Sequence, residues 1–116
     1  MKEITVQEKY ELYCDTLSHC GTFLLDSSDD EIGYHIFEEF DTDSISFLHP
    51  KTLDVLLNAK YITQEIYALS VNLAKSFRAL EDTDLWNVSA VRTSKEWHTV
   101  LSLADKIKGK LTACGE

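Results

Sequence analysis

No lysine or arginine occurs between Lys9 and Lys51 of this 116-residue chain. Proline occurs once, at Pro50, and glycine four times, so backbone breakers are scarce along the whole length. Cysteine occurs three times, at Cys14, Cys20 and Cys114. An odd number without CxxC spacing argues against a disulfide framework and for reduced thiols. No apolar run approaches the ~18 residues that cross a bilayer, and Met1-Lys2-Glu3-Ile4-Thr5 opens a charged helical pattern rather than a signal peptide. A soluble, cytoplasmic protein is predicted. There is also no phosphate-binding P-loop, dinucleotide fingerprint or nucleophile elbow, and Gly21 and Gly33 lack a second glycine to form a phosphate cradle.

Acids fill the stretch that lacks cations. Residues 1–58 hold thirteen acids against Lys2, Lys9 and Lys51, a balance of -10, whereas residues 59–116 balance at +1. One half of the chain therefore creates almost the whole field of a protein whose net charge is -9. Carboxylates at this density repel one another unless water, salt or a cationic partner compensates them. Nucleic acid and anionic membranes are disfavoured as partners because they too are negative. A basic protein surface is the predicted partner.

Apolar residues recur at helical spacing nearly throughout, which predicts an all-α fold: one domain over residues 1–116, a compact bundle of about five helices. The first helix is expected from Glu3 to His19, with Val6, Tyr10, Tyr13 and Leu17 inward, Glu8, Glu11 and Asp15 outward, and Gly21 as its stop. Ser28 with Glu31 three residues on is a capping-box signature, and Asp29 and Asp30 then suit the positive end of the helix dipole. Ile32, Ile36 and Phe40 form that helix's buried stripe, with Phe37 at its edge. A short extended link from Ile45 to Leu48 precedes a third helix that starts at Pro50, buries Leu53, Leu56 and Leu57, and ends near Asn58. Thr63 caps a fourth, with stripe Ile66, Leu69, Leu73, Phe77 and Leu80. After a loop from Asp82 to Val91 that holds a helical turn, Thr93 and Glu96 form a second capping box. The last helix buries Trp97, Val100, Leu101, Ala104, Ile107 and Leu111, and Lys106, Lys108 and Lys110 complement its C-terminal dipole.

Candidate chemistry is sparse. Asp41-Thr42-Asp43 begins like a calcium loop, but Ile45, Ser46 and Thr52 stand where a third oxygen ligand, a glycine and a glutamate are needed. His35 followed by Glu38 reverses the Glu-x-x-His order of di-metal carboxylate bundles. Cys14 and Cys20, near Asp15 and His19, lack the electropositive surroundings that create a thiolate, and Cys14 reads as a small core residue. Asp15 and His19 read as an ordinary i, i+4 surface pair, and His49 and His98 are isolated. Trp86 and Trp97 read as core or loop anchors. No catalytic residue, cofactor or metal ligand is assigned, and the chain is read as a non-enzyme.

The binding surface is read from the second helix. At about 100° per residue, Glu31, Tyr34, Glu38 and Asp41 share its outer side, with Asp29, Asp30, Glu39 and Asp43 at the rim. An exposed aromatic inside a charged patch is a common interface anchor.

A resemblance covers the chain from Phe47 to Leu111. Its carriers are Leu48-His49-Pro50-Lys51-Thr52-Leu53, Tyr61-Ile62-Thr63-Gln64-Glu65-Ile66-Tyr67, Leu85-Trp86-Asn87-Val88, and Val91-Arg92-Thr93-Ser94-Lys95-Glu96-Trp97 before the last helix. This pattern resembles small bacterial immunity proteins encoded beside polymorphic or contact-dependent growth-inhibition toxins. Lys95 departs from it, since a proline suits that place. The resemblance implies a non-enzymatic antitoxin that occludes the cleft of one cognate toxin domain, in many such systems a basic nuclease. Two other classes fit the same sequence: an acidic helical adaptor or regulatory subunit on a basic host protein, and, more weakly, a metal-dependent carboxylate enzyme.

Overall fold

The computed structural model describes residues 4–115, and side chains as far as Leu111. The first helix begins at Val6 rather than at Glu3, because Thr5 is extended (φ -75°, ψ 166°) and caps it; the Cys114 side chain lies outside the described residues. The elements are α1 (Val6–Ser18), a 3-10 turn (Thr22–Asp26), α2 (Asp29–Ile32), a π-helical segment (Gly33–Phe40), α3 (Asp41–Phe47), α4 (Pro50–Asn58), α5 (Gln64–Arg78), α6 (Val88–Thr93) and α7 (Lys95–Gly115). Right-handed dihedrals persist through Ile32, Gly33, Phe40 and Asp41, so α2, the π segment and α3 form one continuous helix. Counted that way there are six helices rather than about five, with no strand among the described residues.

Local chemistry starts and stops these helices. Thr5 and Glu8 form a reciprocal capping box at α1, with Oγ1 of Thr5 accepting from the Glu8 amide and the Glu8 carboxylate accepting from the Thr5 amide. Ser28 and Glu31 do the same at α2, as the sequence predicts. Pro50 occupies the first turn of α4, and Thr63 caps α5 by accepting from the Ile66 amide. α4 ends where Tyr61 N–H reaches the Leu56 carbonyl and Lys60 N–H the Leu57 carbonyl, with Lys60 left-handed at φ 68°.

Five further local expectations need correction. Ile45 to Leu48 is not extended: α3 runs through Phe47, because Ser44 supplies another inward-facing position one turn after Phe40. The cap of α7 is Ser94 rather than Thr93, since Ser94 Oγ accepts from the Trp97 amide while the Thr93 hydroxyl donates back to the Ser89 carbonyl. A separate helix, α6, occupies the end of the expected loop and continues to Thr93. Lys106, Lys108 and Lys110 do not terminate α7, which continues to Gly115. Lys108 instead reaches across to the Cys20 carbonyl, and Lys110 pairs with Glu65 on α5. Gly21 is not a left-handed cap either. It follows the end of α1 in an extended conformation (φ 166°, ψ 172°), and a Cβ there would lie 2.5 Å from Asp105 Oδ1 and 2.6 Å from Lys108 Nζ, the movable ends of two side chains.

α5 and α7 pack along each other, and α1 lies against α3 and α4. The inward stripes merge into one core in which Tyr13, Leu17, Ile36, Phe40, Leu53, Leu56, Phe77, Trp97 and Leu101 are completely covered. Inside it the Tyr13 hydroxyl and Ser70 Oγ are 2.7 Å apart, and Ser70 donates on to the Ile66 carbonyl. This satisfies two polar groups that would be costly to bury alone. No helix among the described residues is long and apolar enough to cross a membrane.

Candidate functional site

The continuous helix from α2 to α3 carries the acidic face, and its π segment decides which side chains point outward. Ile32, Ile36, Phe40, Ser44 and Leu48 are all buried, a spacing of four residues sustained over five positions. A pure α-helix overshoots by about 40° at each such step, so the stripe would wander out of the core. Wider i→i+5 turns, shown by the Asp41 amide donating to the Ile36 carbonyl, absorb the overshoot and hold one face inward.

The same widening changes the neighbours on the outside. Tyr34 is 48% exposed and Glu31 and Glu38 are exposed, as the sequence predicts. The acid that acts on the Tyr34 hydroxyl, however, is Glu39, five residues on, which raises the phenol pKa. On a regular α-helix residues five apart point about 140° away from each other. Glu39 thus belongs beside the aromatic rather than at the rim. Glu31 is engaged in its capping box, and hydrogen bonds from the Ser28 amide and hydroxyl hold its carboxyl below the usual range.

Asp41 does not lie on the outer face. It is half-buried with Oδ1 2.7 Å from Arg78 Nη1, while Arg78 Nη2 donates to the Asp41 carbonyl and to Ser44 Oγ. Asp29 is exposed but is also compensated, its Oδ1 accepting from Arg92 Nε and Nη2. Arg92 further donates to the Leu25 and Ser27 carbonyls and so clamps the turn before α2 to α6. Asp30 is exposed and Asp43 half-buried. Replacing Arg78 with methionine, which keeps the stem and removes the donors, is expected to cost about 1–2 kcal/mol after discounting for partial solvent exposure. Urea unfolding checks this, and an unchanged midpoint would mean the ion pair is replaced by water at no cost.

Phe23, His19, His35 and Asp15 complete the patch. Phe23, 42% exposed on the 3-10 turn, meets the His35 ring edge-on at 5.6 Å. Tyr34 meets His35 and His19 in the same way, at 5.3 and 6.3 Å. Nδ1 of His19 and Nδ1 of His35 lie 2.9 Å apart. Asp15, His19 and Asp43 bring one ligand-type atom each within 4.8 Å of the others. Partial burial is the largest influence on Asp43; with Glu39 and Asp15 it raises the pKa, while His19 opposes the rise. The only sequence signal for this grouping was the i, i+4 spacing of Asp15 and His19; Phe23 and Asp43 arrive from other elements.

Cys14 and Cys20 form no part of a reactive site. Burial pushes the Cys20 thiol up to about 12, with Lys108 opposing, and burial also raises Cys14. Both shifts disfavour the thiolate needed for nucleophilic work. Trp86 packs into the aromatic core rather than onto a binding surface, with its ring 5.1 Å from both Phe37 and Phe77. The face is therefore a patch of two exposed aromatics, Phe23 and Tyr34, over the partly buried imidazoles of His19 and His35, bordered by Asp15, Glu31, Glu38, Glu39 and Asp43. An apolar groove of 210 Å³ beside Leu48, Val71 and Arg78 shares no residue with it. No family model matches the chain, and neither a curated protein nor a solved structure shows significant similarity to it.

Proposed function

We propose that this protein is an immunity protein that binds a cognate toxin domain with a basic surface and blocks its active-site cleft. The observation that carries this reading is the half-exposed Tyr34 set among carboxylates, Glu31, Glu38, Glu39 and Asp43, that form no ion pair with lysine or arginine among the described residues. The motif resemblance from Phe47 to Leu111 supports the same role. A nuclease cleft is basic because it must hold phosphates, so a surface of fixed carboxylates competes for it as a substitute for nucleic acid. Long-range attraction speeds encounter, and a few desolvated contacts around Tyr34 then set slow release. The role requires neither catalysis nor a cofactor from this chain.

Association kinetics test the electrostatic half of the proposal. The double variant Asp30→Asn, Glu38→Gln removes two carboxylates that hold no ion pair among the described residues. Against the toxin domain encoded by the neighbouring gene, it is expected to associate about 3–10-fold more slowly at low salt. The difference should fade near 1 M salt, where the Debye length falls to about 3 Å. Stopped-flow mixing at two ionic strengths measures this. Association that ignores both the substitutions and the salt would move the interface off this face.

A further inference from the structure

Within the patch, Asp15, His19 and Asp43 have a geometry that partner binding does not require. Asp15 lies in the last turns of α1, His19 just beyond its end, and Asp43 reaches the same point from α3. His19 Nε2 is 3.8 Å from Asp15 Oδ2. On its other side, His19 Nδ1 is 2.9 Å from Nδ1 of His35. Two Nδ1 atoms at that distance need one proton between them. When His19 donates it, Nε2 presents a bare lone pair toward the carboxylates, and His35 fixes both the tautomer and the ring plane. A metal-ligating histidine is held in this way, with one nitrogen on the ion and the other N–H bound to an orienting acceptor.

We propose that Asp15, His19 and Asp43 form a binding site for a zinc-class divalent transition metal, with His35 as the positioning residue and water completing the coordination. The donor set decides the class. One imidazole nitrogen with two carboxylate oxygens suits zinc or cobalt, whereas calcium and magnesium take oxygen ligands throughout. Ligand bonds of about 2.0–2.2 Å place tetrahedral donors about 3.3–3.5 Å apart. His19 Nε2 and Asp15 Oδ2 are already 3.8 Å apart and the three donor atoms all lie within 4.8 Å of one another, so small rotations of the Asp15 and Asp43 side chains bring them to that spacing. Electrostatics favour the ion as well. Asp15 and Asp43 form no ion pair with lysine or arginine among the described residues, and Glu39 adds a third carboxylate that acts on Asp43. A divalent ion turns this mutual repulsion into attraction and fastens α1 to α3.

Calorimetric titration of ZnCl2 into chelator-treated protein tests the site directly. The expected result is saturable one-to-one binding, with His19→Ala and Asp43→Asn each at least about 10-fold weaker, and His35→Gln weakened in the manner of an outer-shell partner, about 10-fold or more. Cys14→Ser and His98→Ala should bind as wild type, and MgCl2 should give no saturable heat. Cobalt should give the visible absorption of a four-coordinate nitrogen and oxygen site, lost in His19→Ala. Asp15→Asn, a change at an exposed position, serves as a further ligand variant if either of the others loses its helical circular dichroism. Absence of saturable zinc binding, full affinity in His19→Ala or in a folded carboxylate variant, or loss of binding in Cys14→Ser would each overturn the assignment.

Discussion

Phe77→Ala is expected to destabilise the protein by about 3–5 kcal/mol, the range for removing a fully buried aromatic ring. Phe77 is completely covered, and its ring centroid lies 4.8 Å from that of Phe40, 5.1 Å from Trp86 and 5.8 Å from Trp97. Those partners come from three different places: the π segment, the loop before α6, and α7. No single element can move inward to fill the hole without pulling on the others, so the cavity persists and its cost adds to the lost transfer energy. Trp86 is further constrained through Phe37, and Trp97 by its indole N–H donating to the Leu85 carbonyl at 2.5 Å. For a domain of this size the melting temperature should fall by about 10–20 °C. Urea and thermal unfolding measure both quantities, and a loss below ~1 kcal/mol would show that the ring is not central and that the assigned inward face of α5 is wrong.

The second large effect is expected on binding and not on folding. Tyr34→Ala should cost about 2 kcal/mol or more of affinity for the toxin domain and appear mainly as faster dissociation, roughly 30-fold, as truncation of a desolvated aromatic anchor does. Because the side chain is half-exposed in the free protein, unfolding stability should change by no more than about 0.5 kcal/mol. Glu38→Lys should cost several kcal/mol, since it places a cation against a basic cleft. Surface plasmon resonance on the two variants, with urea melts as controls, separates the outcomes. Wild-type dissociation in both would remove this face from the interface and leave only the scaffold resemblance in favour of an immunity role.

Much of the fold is legible because its determinants are local. The Ser28–Glu31 box, Pro50, the Thr63 cap and the 3.6-residue stripes of α5 and α7 each act across three or four residues, so sequence neighbours carry the information. Thr93 and Ser94 are equivalent caps in sequence, because adjacent hydroxyls are distinguished only when packing sets the helix start. The π segment left a trace that was readable in principle: Ile32, Ile36 and Phe40 recur every four residues rather than every 3.6. Serine at the fourth position of that series, Ser44, interrupts the apolar pattern after Phe40, although the helix continues to Phe47.

Composition and pattern alone determined that this chain is helical, that its acidic excess lies in its first half, and that Tyr34 points outward there. The choice of which acids stay uncompensated was made by the tertiary structure. Arg78 lies 37 residues from Asp41 and Arg92 lies 63 from Asp29, and each arginine also ties down backbone carbonyls. The acidic stretch itself contains no cation, yet packing delivers Arg78 and Arg92 to its carboxylates and Lys108 to the Cys20 carbonyl from the other half. The meeting of Asp15 and His19 with Asp43, and of His19 with His35, has the same origin. Charge and periodicity are properties of residues and their near neighbours, whereas ion pairs and ligand sets are properties of distances, and those distances exist only once the helices have packed.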